Sequence, residues 1–192
     1  MIPADKLAGL SDEVAQQVWR LWERAVAGEL TRDMALDLSE TLVQLGRAQA
    51  EQLARLVYEL ERSDALGASA QAVKVPAETI PDRLRDALVK ATAELELAPM
   101  RASRLAGGET GRAFQRWTDR ALQSDDMARG YIRELNAGAC ELCQWLYKDG
   151  HIYPAGQSMH QHKGCQCRQR TVWDRNIKPQ SRRKRRLRRA LA

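Results

Sequence analysis

The chain has 192 residues, 44% hydrophobic and 29% charged, with a formal charge of +6 and only 5% aromatics. That composition suits one soluble domain, or a helical body with a small appendage, and is long enough to bury a core without disulfides. Ala, Leu, Arg, Gln and Glu are abundant while Val, Ile, Phe and Tyr are few, a bias that favours helix over sheet.

The charge is uneven. Residues 175–192 hold nine basic residues and no acid, so residues 1–174 carry 22 basic against 25 acidic side chains, a net of −3. The basic character belongs to the tail, and the body need not bind polyanions. The first residues do not read as a signal peptide, and no apolar run is long enough to span a membrane.

In chain order, residues 11–28 predict a first helix, with Ser11 as cap, Val14, Val18, Trp22 and Val26 at four-residue steps, and Gly28 as stop. Thr31 caps a second helix running to about Arg62. Its Met34, Leu38, Leu42, Leu45, Gln49, Leu53, Leu56 and Leu60 form a near-heptad seam with one polar break. The seam suits either one arm of an antiparallel helical hairpin or a coiled-coil oligomer. Residues 63–76 read as a linker. A third helix starts near Thr79 to Asp82, with Leu84, Leu88, Ala91 and Leu95 on its apolar face, and Pro99 ends or kinks it. Gly107 and Gly108 mark a break. A fourth helix follows over about 109–122, with Phe114 and Trp117 inward, and Ser124 caps a fifth from Asp125 to about Leu135.

From Gly138 the texture changes. All four cysteines lie in residues 140–167, as Cys140-x2-Cys143, a gap of 21 residues, then Cys165-x-Cys167, with His162 three residues before the second pair. Two close pairs joined by a loop match the needs of tetrahedral zinc, since a C-x2-C turn brings two thiolates within about 4 Å. The simplest ligand set is Cys140, Cys143, Cys165 and Cys167, with His162 able to replace one of the last two. A disulfide pair and free buried thiols are the alternatives. Asp149-Gly150 predicts a hairpin turn between residues 145–147 and 151–153. His160 reads as a solvated loop residue and His151 as structural.

Four thiolates close the coordination shell, so the zinc reads as structural, and no catalytic residue is assigned. A thiol protease built on Cys165 and His162 would leave three further cysteines unexplained. No nucleophile elbow, H-E-x-x-H or Walker loop occurs.

The tail holds Arg182, Arg183, Lys184, Arg185, Arg186, Arg188 and Arg189, seven basic residues in its last twelve. Such a block reads as a disordered arm that meets phosphates without sequence readout, with steep salt dependence. A solubilising tail or one that docks on acidic protein is the alternative.

The ordered residues Gly130-Tyr131-Ile132-Arg133, Cys140-Glu141-Leu142-Cys143, Asp149-Gly150, Pro154, His162-Lys163-Gly164-Cys165-Gln166-Cys167 and Thr171-Val172 resemble the C-terminal signature of the phage Mu F-like minor head proteins, especially the type in actinobacterial phages. Lys163 stands where many relatives have proline. The likeness covers about 43 residues, Gly130 to Val172. It implies a few-copy minor capsid protein of the virion, near the portal in the head, present in the host cytoplasm during assembly. Portal, major capsid or scaffold proteins would be its partners; the basic arm itself, apart from the likeness, fits a contact with packaged double-stranded DNA or the acidic interior of a procapsid, and no membrane is expected. Some relatives are labelled capsid maturation proteases; a zinc-containing DNA-binding regulator is a further alternative. The expected architecture is mainly α: a helical bundle or long hairpin over 1–130, a zinc-stabilised β-hairpin module over 131–174, and a disordered basic arm over 175–192.

Overall fold

A computed structural model describes residues 5–67, 72–77, 83–162 and 164–173. The expected cap and start of the third helix at 79–82, Lys163 and the basic arm with its seven candidate phosphate contacts lie outside these residues. The described chain is mainly helical, with a small antiparallel sheet.

Helix α1 (Asp5–Val26) begins six residues earlier than expected. Ser11 is therefore a buried residue inside the helix rather than its cap. Val14, Val18 and Trp22 form the buried stripe, and the Trp22 indole donates to Ser39 Oγ at 3.0 Å. Val26 is exposed; the chain leaves the helix through Gly28 at φ 77°.

Helix α2 (Arg32–Leu66) has the expected cap, Thr31 accepting from the Met34 amide at 3.2 Å. Its buried face is not the leucine seam. Ala35, Ser39, Gly46, Ala50 and Ala54 face the core, while Met34, Leu38, Leu45, Leu56 and Leu60 face solvent. Small residues win the core because α1 and α4 approach α2 closely. A Cβ at Gly46 would fall 2.8 Å from Val14 and 2.9 Å from Thr110.

Helix α3 (Leu84–Ala91) buries Leu84 and Leu88, and a short 3-10 turn (Leu95–Leu97) leads into helix α4 (Ala98–Ser124). Pro99 starts α4 rather than ending a preceding helix, since a first-turn position needs no N–H donor. Gly107 and Gly108 lie within α4. The break expected there is absent because Gly107 serves a close approach: a Cβ would meet the Ser11 carbonyl oxygen at 3.2 Å. Phe114 is buried, and Trp117 packs at the edge of the core.

No fifth helix starts at Asp125. Instead the chain turns into strand β1 (Gly130–Glu134), the centre of a three-stranded sheet ordered β2-β1-β3. Residues 145–147, expected as a hairpin strand, belong to helix α5 (Glu141–Tyr147). Lys148, Asp149 and Gly150 all take positive φ and turn that helix into β2 (Ile152–Pro154). β2 pairs with β1, Tyr131 opposite Tyr153, and β3 (Arg168–Val172) pairs on the other side, Ile132 opposite Arg170. The hairpin reading fails because residues 145–147 are helical, and β2 finds its partner in β1 instead.

The sheet is fastened to the helical body. Tyr131, Tyr153, Met159 and Trp173 share a buried cluster with Tyr58, Ala121 and Leu122. Asp125 accepts hydrogen bonds from Tyr58 Oη (3.0 Å), Arg62 Nε (2.8 Å) and Trp173 Nε1 (3.0 Å).

Candidate metal centre

Cys140 precedes α5 in extended backbone (φ −71°, ψ 166°), and the Gln144 amide donates to its carbonyl at 3.0 Å. One helical turn places Cys143 on the same side of the chain. Cys140 is exposed and Cys143 buried. The opposite wall is the loop before β3. Here the Cys165 amide donates to the His162 carbonyl at 3.1 Å, and Gly164 takes φ 75°, closing a tight turn that presents His162 and Cys165 together.

These walls meet. His162 Nε2 lies 3.1 Å from the sulfurs of both Cys140 and Cys143, and the Cys143 and Cys165 sulfurs are 3.5 Å apart. The donors form two groups, Cys140-Cys143-His162 and Cys143-Cys165-Cys167, that share Cys143. All five candidate ligands therefore converge. All four cysteines are free, with Cys143 and Cys165 far beyond the roughly 2.05 Å of a disulfide. A tetrahedral zinc with bonds of about 2.3 Å to sulfur and 2.0 Å to nitrogen separates its ligands by about 3.5–3.8 Å, so donors at these spacings fit a cation with little movement.

The electrostatics agree with that chemistry. The Cys165 thiol is brought down to about 5, chiefly by a hydrogen bond from Cys167, with the Arg133 guanidinium adding to the effect. Burial pushes Cys143 up to about 11, and the shared proton with Cys165 pushes Cys167 strongly upward. Crowded sulfurs hold one another's protons until a cation takes their place.

Sequence reasoning missed Arg133. It is 2% exposed, on the inward face of β1, with Nη1 3.6 Å from the Cys143 sulfur and 3.7 Å from the Cys165 sulfur. Its Nη2 donates to the His160 carbonyl. The available signal was an arginine at the same strand parity as Tyr131, on the face that packs inward. His160 is exposed, as expected, and His151 stacks edge-on to Tyr153 with centroids 4.6 Å apart, a structural role.

The loop is also tied to the helical body. Gln115 Nε2 donates to the Cys167 carbonyl at 2.7 Å, and Gln166 Nε2 to Asp12 of α1 at 2.8 Å. Gln169 Nε2 donates to Asp119 at 2.6 Å. A cation here would pin β3 onto α1 and α4.

A family profile described as VG15 protein matches residues 4–190, almost the whole chain, so the helical body and the cysteine module fall within one family unit. The chain belongs to the VG15 protein family. This is a viral family, which makes the chain a phage-associated protein. The VG15 match takes in α1 through β3 and extends beyond the 43 residues that carry the Mu F-like likeness. Neither the curated proteins nor the solved structures yield a significant match. Among the described residues, no helix is long and apolar enough to cross a membrane.

Proposed function

We propose that this VG15 protein is a minor head protein of a tailed phage, of the Mu F-like kind. In this reading it acts in head morphogenesis near the portal, with a structural zinc joining its C-terminal module to a helical body. The observation that carries the reading is the convergence of Cys140, Cys143, His162, Cys165 and Cys167 in the order of the Mu F-like signature, within a chain of viral family. Cys140, Cys143 and His162 would hold the ion, with Cys165 or Cys167 as the fourth ligand. Zinc in such a shell supplies a cross-link, not a reactive water.

The ligand set leaves the buried Arg133 a defined part. Three thiolates and a dication leave one net negative charge, and Arg133 offsets it without solvent. The portal, the major capsid or scaffold proteins and packaged DNA are the proposed partners, the last through Arg182 to Arg189.

The test is twofold. Elemental analysis of purified protein should return one zinc per chain, lost in Cys140→Ala/Cys143→Ala; comparing Cys165→Ala with Cys167→Ala identifies the fourth ligand. Phage lacking the protein should accumulate defective heads, and wild-type particles should contain it in few copies. Cleavage of capsid or scaffold protein by the purified chain, abolished by Cys165→Ala, would instead favour a maturation protease.

A further inference from the structure

The solvent face of α2 has no counterpart in the site or in the body. Met34, Leu38, Leu45, Leu56 and Leu60 are 51, 43, 55, 55 and 57% exposed, in one strip along the helix. Steps of 4, 4, 3, 4, 4, 3 and 4 keep that strip straight. Three steps make eleven residues, or about 3.67 per turn, close to the 3.6 of an α-helix. Leu42 and Leu53 edge the strip and also touch the core. Among the described residues, nothing covers this strip. Contiguous exposed leucine over such a length marks a protein interface rather than a solvated face.

The pattern of the strip identifies the occupant. Leu38, Leu42, Leu45, Gln49, Leu53, Leu56 and Leu60 form a palindrome about Gln49. Leu45 and Leu53 are four residues to either side, Leu42 and Leu56 seven, Leu38 and Leu60 eleven. A two-fold axis across Gln49, perpendicular to the helix, therefore places leucine on leucine at every level over about 33 Å. It also sets the two Gln49 amides together, where each can donate to the other. The charge pattern favours the same arrangement. The one charge interleaved with the strip is Glu59, paired along its own helix with Arg55 at 2.9 Å. An antiparallel pair places Glu59 across from Thr41 and keeps the two Glu59 residues about 30 Å apart, whereas a parallel pair sets them at the same level. A strip with so little charge also lacks what would hold nucleic acid.

We propose that α2 is a self-association face, on which a second copy of this chain packs antiparallel about Gln49 to form an isologous dimer. The lone polar layer fixes register, as a buried amide does in a coiled coil. None of the five candidate ligands comes from α2, so dimerisation and zinc binding are separate properties.

The full-length protein should sediment as a dimer over a concentration series, and Leu45→Glu/Leu56→Glu should sediment as a monomer. Because both leucines are exposed in the single chain, that variant should keep the wild-type helical circular dichroism and zinc content. Leu45→Gln/Leu56→Gln, which adds no charge, is the second variant should the first lose helicity. A photo-cross-linker at Leu38 should join to the region of Leu60 in the partner. Cross-links to position 38 itself would overturn the antiparallel arrangement. A wild-type monomer at all concentrations would overturn the dimer, including the case in which the strip instead binds purified portal protein. An undiminished dimer in both double variants would overturn the role of α2.

Discussion

Arg133 Nη1 faces the sulfurs of both Cys143 and Cys165, at 3.6 and 3.7 Å, and its Nη2 donates to the carbonyl of His160. One guanidinium thus touches both walls of the cysteine cluster, from a strand that contributes no ligand. Groups of this kind orient ligands and balance their charge.

Replacing Arg133 with Met, of similar length but neutral, should weaken zinc binding by about 10–100-fold without removing a ligand. Competition against a chromophoric chelator measures the change. Arg133→Lys should recover only part of it, because an ammonium lacks the fork that reaches sulfur and carbonyl together.

Removing the metal should loosen the C-terminal module first. With a strong chelator at neutral pH, amide exchange should rise over α5 and the loop around residues 160–167. The α1, α2 and α4 amides should stay protected, because that core holds Trp22, Val43 and Leu88 away from the site.

Gly130→Ala should destabilise the sheet by about 1–3 kcal/mol, the usual range for overpacking. A Cβ there would fall 2.0 Å from the Tyr153 carbonyl oxygen, and backbone cannot yield as a side chain does. Chemical denaturation of the two proteins gives the difference. Gly138→Ala is the control, since a Cβ there meets nothing within 4 Å.

The joint at Asp125 should respond to acid. Burial alone would raise its carboxyl, but hydrogen bonds from Arg62, Trp173, the Met127 amide and Tyr58 outweigh burial and hold it below the usual range. A depressed folded value means that its contribution is complete above the unfolded value of about 3.9 and fades as pH falls through the folded one. Stability measured from pH 6 downward should therefore drop below about pH 4. Asp125→Asn should lower stability at neutral pH and flatten that drop. Asp125→Ala, which removes the acceptor that Tyr58, Arg62 and Trp173 share, should cost about 1–3 kcal/mol.

Much of the cysteine–histidine cluster was legible from local spacing. The pair Cys140-x2-Cys143 can be read as a chelating turn because three residues of chain leave few other ways to place two thiols. The same holds for the His162 to Cys165 turn. The Thr31 cap and the Gly28 stop are equally local, each decided by one hydrogen bond or one backbone angle. The high helix content follows from composition, since Ala, Leu, Glu and Arg have high intrinsic helix propensity that sums over long segments.

Other features depended on partners distant in sequence. Residues 130–134 became a strand because Ile152–Pro154 and Arg168–Val172 flank them, and a strand's hydrogen bonds lie outside itself. Gly107, a local signal for a break, was kept in α4 by the backbone of α1. Which face of α2 to bury was decided by how closely three helices approach, a distance that no periodicity encodes. The leucine pattern determined by itself that α2 carries a long apolar strip. Only the tertiary structure decided that this strip lies outside, because Gly46 and its alanine neighbours had already taken the core.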